Sequence, residues 1–416
     1  MENLFEYLSS GVSPYQVVTI TEEKLSKHGF LKLPYGEAWN LSPGKKYYVT
    51  PYSSMLLAFV VGNNLEKIVG AFAHTDFPCF KIKPNPDLTA KQFACVNVEP
   101  YGGMLLNTWF DRPLGIAGKI VTPSGVMFYD SKSSVAIIPS LAPHLDKEAN
   151  KKTEYDIQKE CIPILDHLEE SIHSSFHLLN SISEELHISK DEIIDFDLFF
   201  YNFDKPEQIG TNHAFLSSPR IDNVASVAAL TDCISSIENE DSISFVSFFD
   251  HEEIGSRSNK GADSILLSNL LEKAVASLGY KRSEFFDMQA NGFLLSVDGA
   301  HSIHPNYTEK NDPTNEVIMG NGPALKSSAS QRYLTDSEST AFIIELCNKN
   351  NIPYQRQVNR SGMPGGSTLG PIATSFLPMK GVDVGIPMLS MHSSRELAAT
   401  SDYLHLKKLL HAFFTN

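Results

Sequence analysis

The sequence predicts an α/β protein in which a mixed-sheet domain is interrupted by a β-rich insertion. Three observations carry that prediction. Four short apolar runs each hand over to acidic or imidazole side chains, segments with helical periodicity lie between them, and the texture of the chain changes between about residues 86 and 210. In open α/β sheets, ligands bind beyond the carboxyl ends of the strands, so runs that deliver polar groups at their ends are candidates to line one site.

The first run, Lys67 to Ala73, is apolar after its first residue and too short for a helix, as expected of a strand buried on both faces, and it stops at His74-Thr75-Asp76. The middle region opens with turns around Tyr101-Gly102-Gly103 and Pro139. It continues as a charged amphipathic stretch from Lys147 to Glu192, and so reads as β-rich followed by helix. Runs carrying His74 and Glu252 flank this region. It is therefore placed as an insertion over 87–210, with 1–86 and 211–416 as the two parts of the sheet domain. A helix over Asn223 to Ser236 sets Val224, Val227, Ala228 and Thr231 on one face directly after Asp222, which reads as an N-cap or as a site residue. The remaining runs are Ile243 to Phe249, ending at Asp250-His251-Glu252-Glu253; Phe293 to Val297, ending at Asp298; and Val382 to Ile386, running toward Met391-His392. A final helix, Ser401 to Phe414, places Tyr403, Leu406, Leu410 and Phe413 on one face behind a Ser401 cap.

Composition narrows the function. A chain of 416 residues with 42% hydrophobic and 10% aromatic residues has the makings of a sizeable core. Its 34 basic and 49 acidic residues leave a net charge of −15, and no basic block concentrates an opposing field, which argues against nucleic acid and anionic membranes as partners. The longest apolar run, Met55 to Val61, is far below the roughly 20 residues that cross a bilayer. The five cysteines form no C-x-x-C pair, and the acidic start Met1-Glu2-Asn3 has no signal-peptide character, so a cytoplasmic protein with reduced thiols is expected.

His74-x-Asp76 pairs an imidazole with a carboxylate able to hold the second nitrogen of a metal-bound ring. In His251-Glu252-Glu253, two adjacent carboxylates at a strand end repel one another unless a cation or a shifted pKa accommodates them. Because neighbouring side chains point apart, one is suited to bind metal while the other faces substrate as a general base. Asp222 and Asp298 stand at element boundaries, where capping and turn formation are the bland alternatives, and His392 comes after the fourth run. Together, two histidines and three carboxylates match two metal ions sharing a bridging carboxylate, with Glu252 left over as base. Nitrogen and oxygen ligands without thiolate suit zinc first, then manganese or cobalt. No phosphate-binding loop and no G-x-S-x-G elbow is present, and Gly365-Gly366-Ser367 has no lysine and reads as a tight loop.

At these positions the sequence resembles the aspartyl aminopeptidase family of dinuclear zinc exopeptidases, along nearly the whole chain. The resemblance is carried by Ala73 to Asp76, Tyr101-Gly102-Gly103, Thr108 to Arg112, Ser218 to Asn223, Asp250 to Ser256, Ala300 to Tyr307, Gln331-Arg332-Tyr333, Gly366 to Pro371 and Met391-His392-Ser393. It implies a zinc-exopeptidase-like catalytic domain with an inserted β-rich dimerisation domain. It also implies that His74, Asp222 and Asp298 hold one zinc and Asp222, Glu253 and His392 the other, with Asp222 bridging, Glu252 as general base and Asp76 behind His74. By the same resemblance, His144 reaches a neighbouring subunit's active site, Lys326 lies in the region for an acidic substrate side chain, and copies assemble into a tetrahedral dodecamer. The chain departs from the family at Gly365, where members often carry Cys, and at Ser327 to Ser330, which lack the asparagines of many members.

The expected activity is removal of single N-terminal residues, Asp or Glu in the first place, from peptides with a free N-terminus. Alternatives are a same-fold N-acyl deacylase or carboxypeptidase with the same metal set, and a non-catalytic assembly or cargo-binding particle. A binding shell would have no need of Glu252 and the five ligand candidates.

Overall fold

A computed structural model describes residues 1–168, 178–238, 240–363 and 365–416. Four parallel neighbours form the middle of its larger sheet: Ser242–Phe249, Lys67–His74, Phe293–His301 and Lys380–Leu389, in that spatial order. They are the four apolar runs read from the sequence. Met55–Val61 and Lys46–Tyr52 extend the sheet antiparallel on one side, and Glu396–Ala399 and Phe215–Ser218 on the other. A short branch, Ala324–Ser327 with Gln355–Val358, joins along Lys380–Leu389.

Every residue of Met55–Val61 and of Ser242–Phe249 is buried, so both faces of the sheet are covered, as continuous apolar runs require. One core gathers Leu57, Phe59, Phe72, Phe245 and Phe249 under the helix Leu266–Ser277. The helix Ile221–Ser236 packs on the central strands, with Thr400–Phe414 and Glu2–Ser10 against it. Tyr403, Leu406, Leu410 and Phe413 of Thr400–Phe414 are all buried, as their spacing predicts. Its N-cap, however, is Ala399 and not Ser401, because the strand Glu396–Ala399 runs straight into the first turn.

Register places the site. His74 stands opposite Phe249, so Asp250 to Glu253 emerge beside it, and Phe72 stands opposite Ser296, so Asp298 lies two residues further along the neighbouring strand. Asp222 is not an N-cap either: it and Asn223 have non-helical backbone angles and are joined by a cis peptide bond inside Ile221–Ser236.

The chain divides into two compact units. The first comprises Met1–Asp76, Pro206–Met391 and Glu396–Asn416; the second comprises Phe77–Lys205 and His392–Arg395. The division thus falls at Phe77 and Lys205, where sequence texture suggested 87 and 210. Pro84 and Pro86 look like a boundary in sequence, yet they lie inside the strand Cys79–Ala90, where a register shift between Ile82 and Asp87 absorbs them. The second unit is a six-stranded antiparallel sheet in the order Gly125–Asp130, Leu114–Thr122, Asp195–Asn202, Cys79–Ala90, Phe93–Tyr101 and Ile164–His167. The stretch Lys147 to Glu192 is more broken than its charge pattern suggests. After Pro163 it turns extended and Ile164–His167 pairs with Phe93–Tyr101; residues 169–177 of the stretch lie outside the described residues, and Leu178–Leu186 is helical. All five cysteines are buried and free, and among the described residues no helix is long and apolar enough to cross a membrane.

Candidate metal centre

His74 ends its strand wholly buried. Its Nδ1 lies 3.0 Å from the carbonyl oxygen of Asp76, and its Nε2 faces Asp222 Oδ1 at 3.4 Å and Asp298 Oδ1 at 3.5 Å. With Nδ1–H donated to the carbonyl, Nε2 faces the two carboxylates and is placed to bind a metal ion between them once it gives up its proton. Burial alone would lower the pKa of His74, but hydrogen bonding to Asp222, Asp298 and Asp76 outweighs it and raises the value well above the usual range.

Asp76 also does something its spacing did not reveal. Its carboxylate accepts the backbone N–H of Glu252 at 3.2 Å and of Glu253 at 3.1 Å, pinning the turn that presents both glutamates. That turn is a short 3-10 segment, Glu252–Ile254, entered through a left-handed His251 and left through a left-handed Gly255. Asp250, also buried, supports it by accepting from the Ser54 hydroxyl at 2.5 Å and from the His251 N–H at 2.8 Å.

The carboxylates respond to their crowding. Burial pushes the Glu252 carboxyl up to about 8; His74 opposes this, and Asp298, Asp76 and Asp222 add to it. Glu253 is raised well above the usual range by burial and by Asp222. Asp298 goes the other way: against its burial, Lys326 and His74 hold it below the ordinary carboxylate range. Lys326 is itself buried, with Nζ 3.5 Å from Asp298 Oδ2, and the carboxylates around it keep its ammonium protonated despite burial.

Among the described residues, two donor sets lie wholly within the first unit, His74 with Asp222 and Asp298, and His74 with Glu252 and Glu253. In each set the ligand atoms lie within 4.8 Å of one another. Buried carboxylates at this density call for cationic compensation, and one imidazole nitrogen among carboxylate oxygens fits zinc or a similar divalent ion.

His74, Asp76, Asp222, Glu252, Glu253, Asp298 and Lys326 thus lie together in the first unit. His144 and His392 belong to the second. His144 is exposed on a turn of the second unit. His392 Nδ1 lies 2.9 Å from the Gly103 carbonyl oxygen, so its ring, like that of His74, is tied through Nδ1 to the backbone. Sequence reasoning missed Glu396, which accepts the Asp222 backbone N–H at 3.0 Å. It also missed the contact of Lys326 with Asp298. Both depend on which strands pair, and nothing local signals them.

The sequence profile described as "Aminopeptidase I zinc metalloprotease (M18)" matches residues 7–414. This chain belongs to the M18 aminopeptidase family. Among curated M18 relatives, the probable M18 family aminopeptidase 2 of Clostridium novyi (strain NT) is 40% identical over 423 residues, covering 99% of this chain and 97% of the relative. That of Clostridium acetobutylicum is 37% identical over 425 residues, covering 99% and 98%. Among solved structures, the M18 chain is similar to a chain of the Ape4 and Nbr1 complex, with TM-score 0.94 and 31% identity over 100% of this chain and 85% of that one. It is also similar to the S. cerevisiae mApe1 dodecamer, with TM-score 0.85 and 27% identity over 100% and 96%.

Proposed function

We propose that this M18 chain removes single N-terminal residues, Asp or Glu foremost, from peptides in the cytoplasm. It would do so with two divalent ions, zinc in the first instance. His74, Asp222 and Asp298 would hold one ion and Asp222, Glu253 and His392 the other, with Asp222 shared. When bound, such a pair supplies Lewis acidity and a water ionised near neutral pH. The observation that carries this proposal is the place of Glu252 among these donors, on the turn that Asp76 pins, where it would take a proton from the attacking water and return it to the leaving amine.

Asp76 acts through others. It orders the backbone of both glutamates and lies against the far side of the His74 ring. Lys326 keeps Asp298 ionised and, by the resemblance, recognises an acidic first side chain. His144, contributed by a neighbouring copy, would stabilise the developing oxyanion. That role requires assembly into a homo-oligomer, with the tetrahedral dodecamer as the expected form. Two features support assembly: the dodecameric state of the similar S. cerevisiae mApe1, and the exposed Val126, Phe128, Leu141 and Leu145 of the second unit.

The test is hydrolysis of Asp, Glu, Leu and Ala aminoacyl substrates and their N-acetylated forms, with and without a chelator. Chelator-sensitive cleavage favouring Asp or Glu and abolished by acetylation is expected. Cleavage favouring Leu would discard the acidic preference, and cleavage of blocked substrates alone would replace the aminopeptidase with a deacylase.

A further inference from the structure

A cavity of about 660 Å³ within the first unit has neither Lys326 nor a proposed metal ligand in its lining, although Gln357 of that lining stands opposite Lys326 on the neighbouring strand. Its wall includes Met388 and Met391. A Cβ built on Gly299 would lie 2.8 Å from Met391 Cε and 3.0 Å from both Met388 Cε and Asp222 Oδ2, so these methionines meet the bridging carboxylate at that glycine. The cavity then runs outward past His301, three residues beyond Asp298 on one strand, or about 10 Å.

The charge of its lining is opposite to that of the protein. Lys310, Arg360, His301 and His304 line it, and none of its described lining residues carries a carboxylate, in a chain of net charge −15. Neither Lys310 nor Arg360 has an ion-pair partner among the described residues. The nearby Asp312 is committed to its own turn, accepting from the Thr314 and Asn315 N–H groups. A second observation points to an occupant. Gln357 is 4% exposed, lines the cavity, and has a buried Oε1 with no hydrogen-bond partner. Whichever way the amide is turned, it brings both a donor and an acceptor to a ligand.

An enzyme that removes one residue at a time has a single residue on the amine side of the scissile bond. The cavity beyond Met388 and Met391 is placed for the residues on the carboxyl side of that bond. We infer that this cavity binds the leaving part of the peptide and selects an acidic side chain at the second to fourth substrate position. Arg360 and Lys310 would pair with its carboxylate, and Gln357 with the peptide backbone. The reach matches, since an extended chain spans about 3.3–3.6 Å per residue. This inference rests on the aminopeptidase reading and adds a substrate class to it.

The experiment uses the metal-loaded full chain and peptides of one fixed N-terminal residue, with Glu, Gln or Lys at the second, third or fourth position. The ratio of kcat/KM for Glu over Gln peptides is expected to be about tenfold or more at one of these positions, shrinking with added salt. It should collapse toward one in a Lys310→Gln/Arg360→Gln variant. In Arg360→Glu the preference should turn toward the Lys peptide, a reversal that misfolding does not produce. Binding of N-acetylated, C-amidated versions of the same peptides is measured by calorimetry in parallel and needs no turnover. Tighter binding of the blocked Glu peptide, lost in the double variant, supports the cavity's assignment even if no free-amine substrate is cleaved, an outcome that would instead strike the aminopeptidase reading. Equal binding and equal kcat/KM for Glu and Gln peptides overturn the inference while leaving the aminopeptidase standing.

Discussion

Glu252 and Glu253 share one turn and one anchor, Asp76, yet the proposed chemistry asks different things of them. Glu252→Gln should keep fold and metal content while lowering kcat by about 10²–10⁴, read by steady-state kinetics beside elemental analysis. Unaltered turnover would remove Glu252 from the mechanism. His74→Ala should lose metal, and retention of two ions per chain would defeat the ligand assignment. The raised carboxyls add a pH dependence whose sign is definite. Between its unfolded pKa of about 4.3 and its folded value of about 8, the metal-free folded chain binds more protons at Glu252 than the unfolded chain does. Stability from this group is therefore lost as pH rises through that window, whereas ions displace those protons. The gap in Tm between metal-loaded and chelated protein should widen from about pH 5.5 to about pH 8. At this scale His74, Glu252, Glu253 and Asp298 were legible as candidates because each closely follows an apolar run, which Asp222 and His392 do not. Glu396 and the Lys326–Asp298 pair were not, since a charge on a four-residue strand carries no sign of what the next strand brings.

Among the elements, the central strands were legible from apolar runs bounded by polar residues, but their neighbours were not, because the same run fits any slot in a buried sheet. Gly70 shows what the pairing demands. It stands opposite Phe245, and a Cβ there would run into the Phe245 ring. Gly70→Ala should destabilise by about 1–3 kcal/mol and Phe245→Ala by about 3–5 kcal/mol, in denaturant titrations. If the alanine at 70 is instead neutral, the strands are not in this register. The helix ends illustrate a different limit. Ser401 and Asp222 are good capping residues by type, but Ala399 takes one cap because a strand runs into the helix, and Asp222 is drawn instead toward His74.

For the whole molecule, texture pointed to an insertion over 87–210, and the compact units change over at Phe77 and Lys205. The larger unit is assembled from distant stretches of sequence. Thr75 donates its backbone N–H to Phe249 across 174 residues, and the strand bearing Asp298 pairs only after that. On a ribosome elongating at about 5–20 residues per second, the nascent His74 strand waits about 9–35 s for its partner. Most of the second unit, contiguous from Phe77 to Lys205, emerges during that wait. Met55–Val61, apolar at every position, has emerged before it and likewise stands without its Ser242–Phe249 neighbour. The order of synthesis thus makes this strand a natural client for chaperones that hold nascent chains, and the proposed metal ligands come together only late in translation.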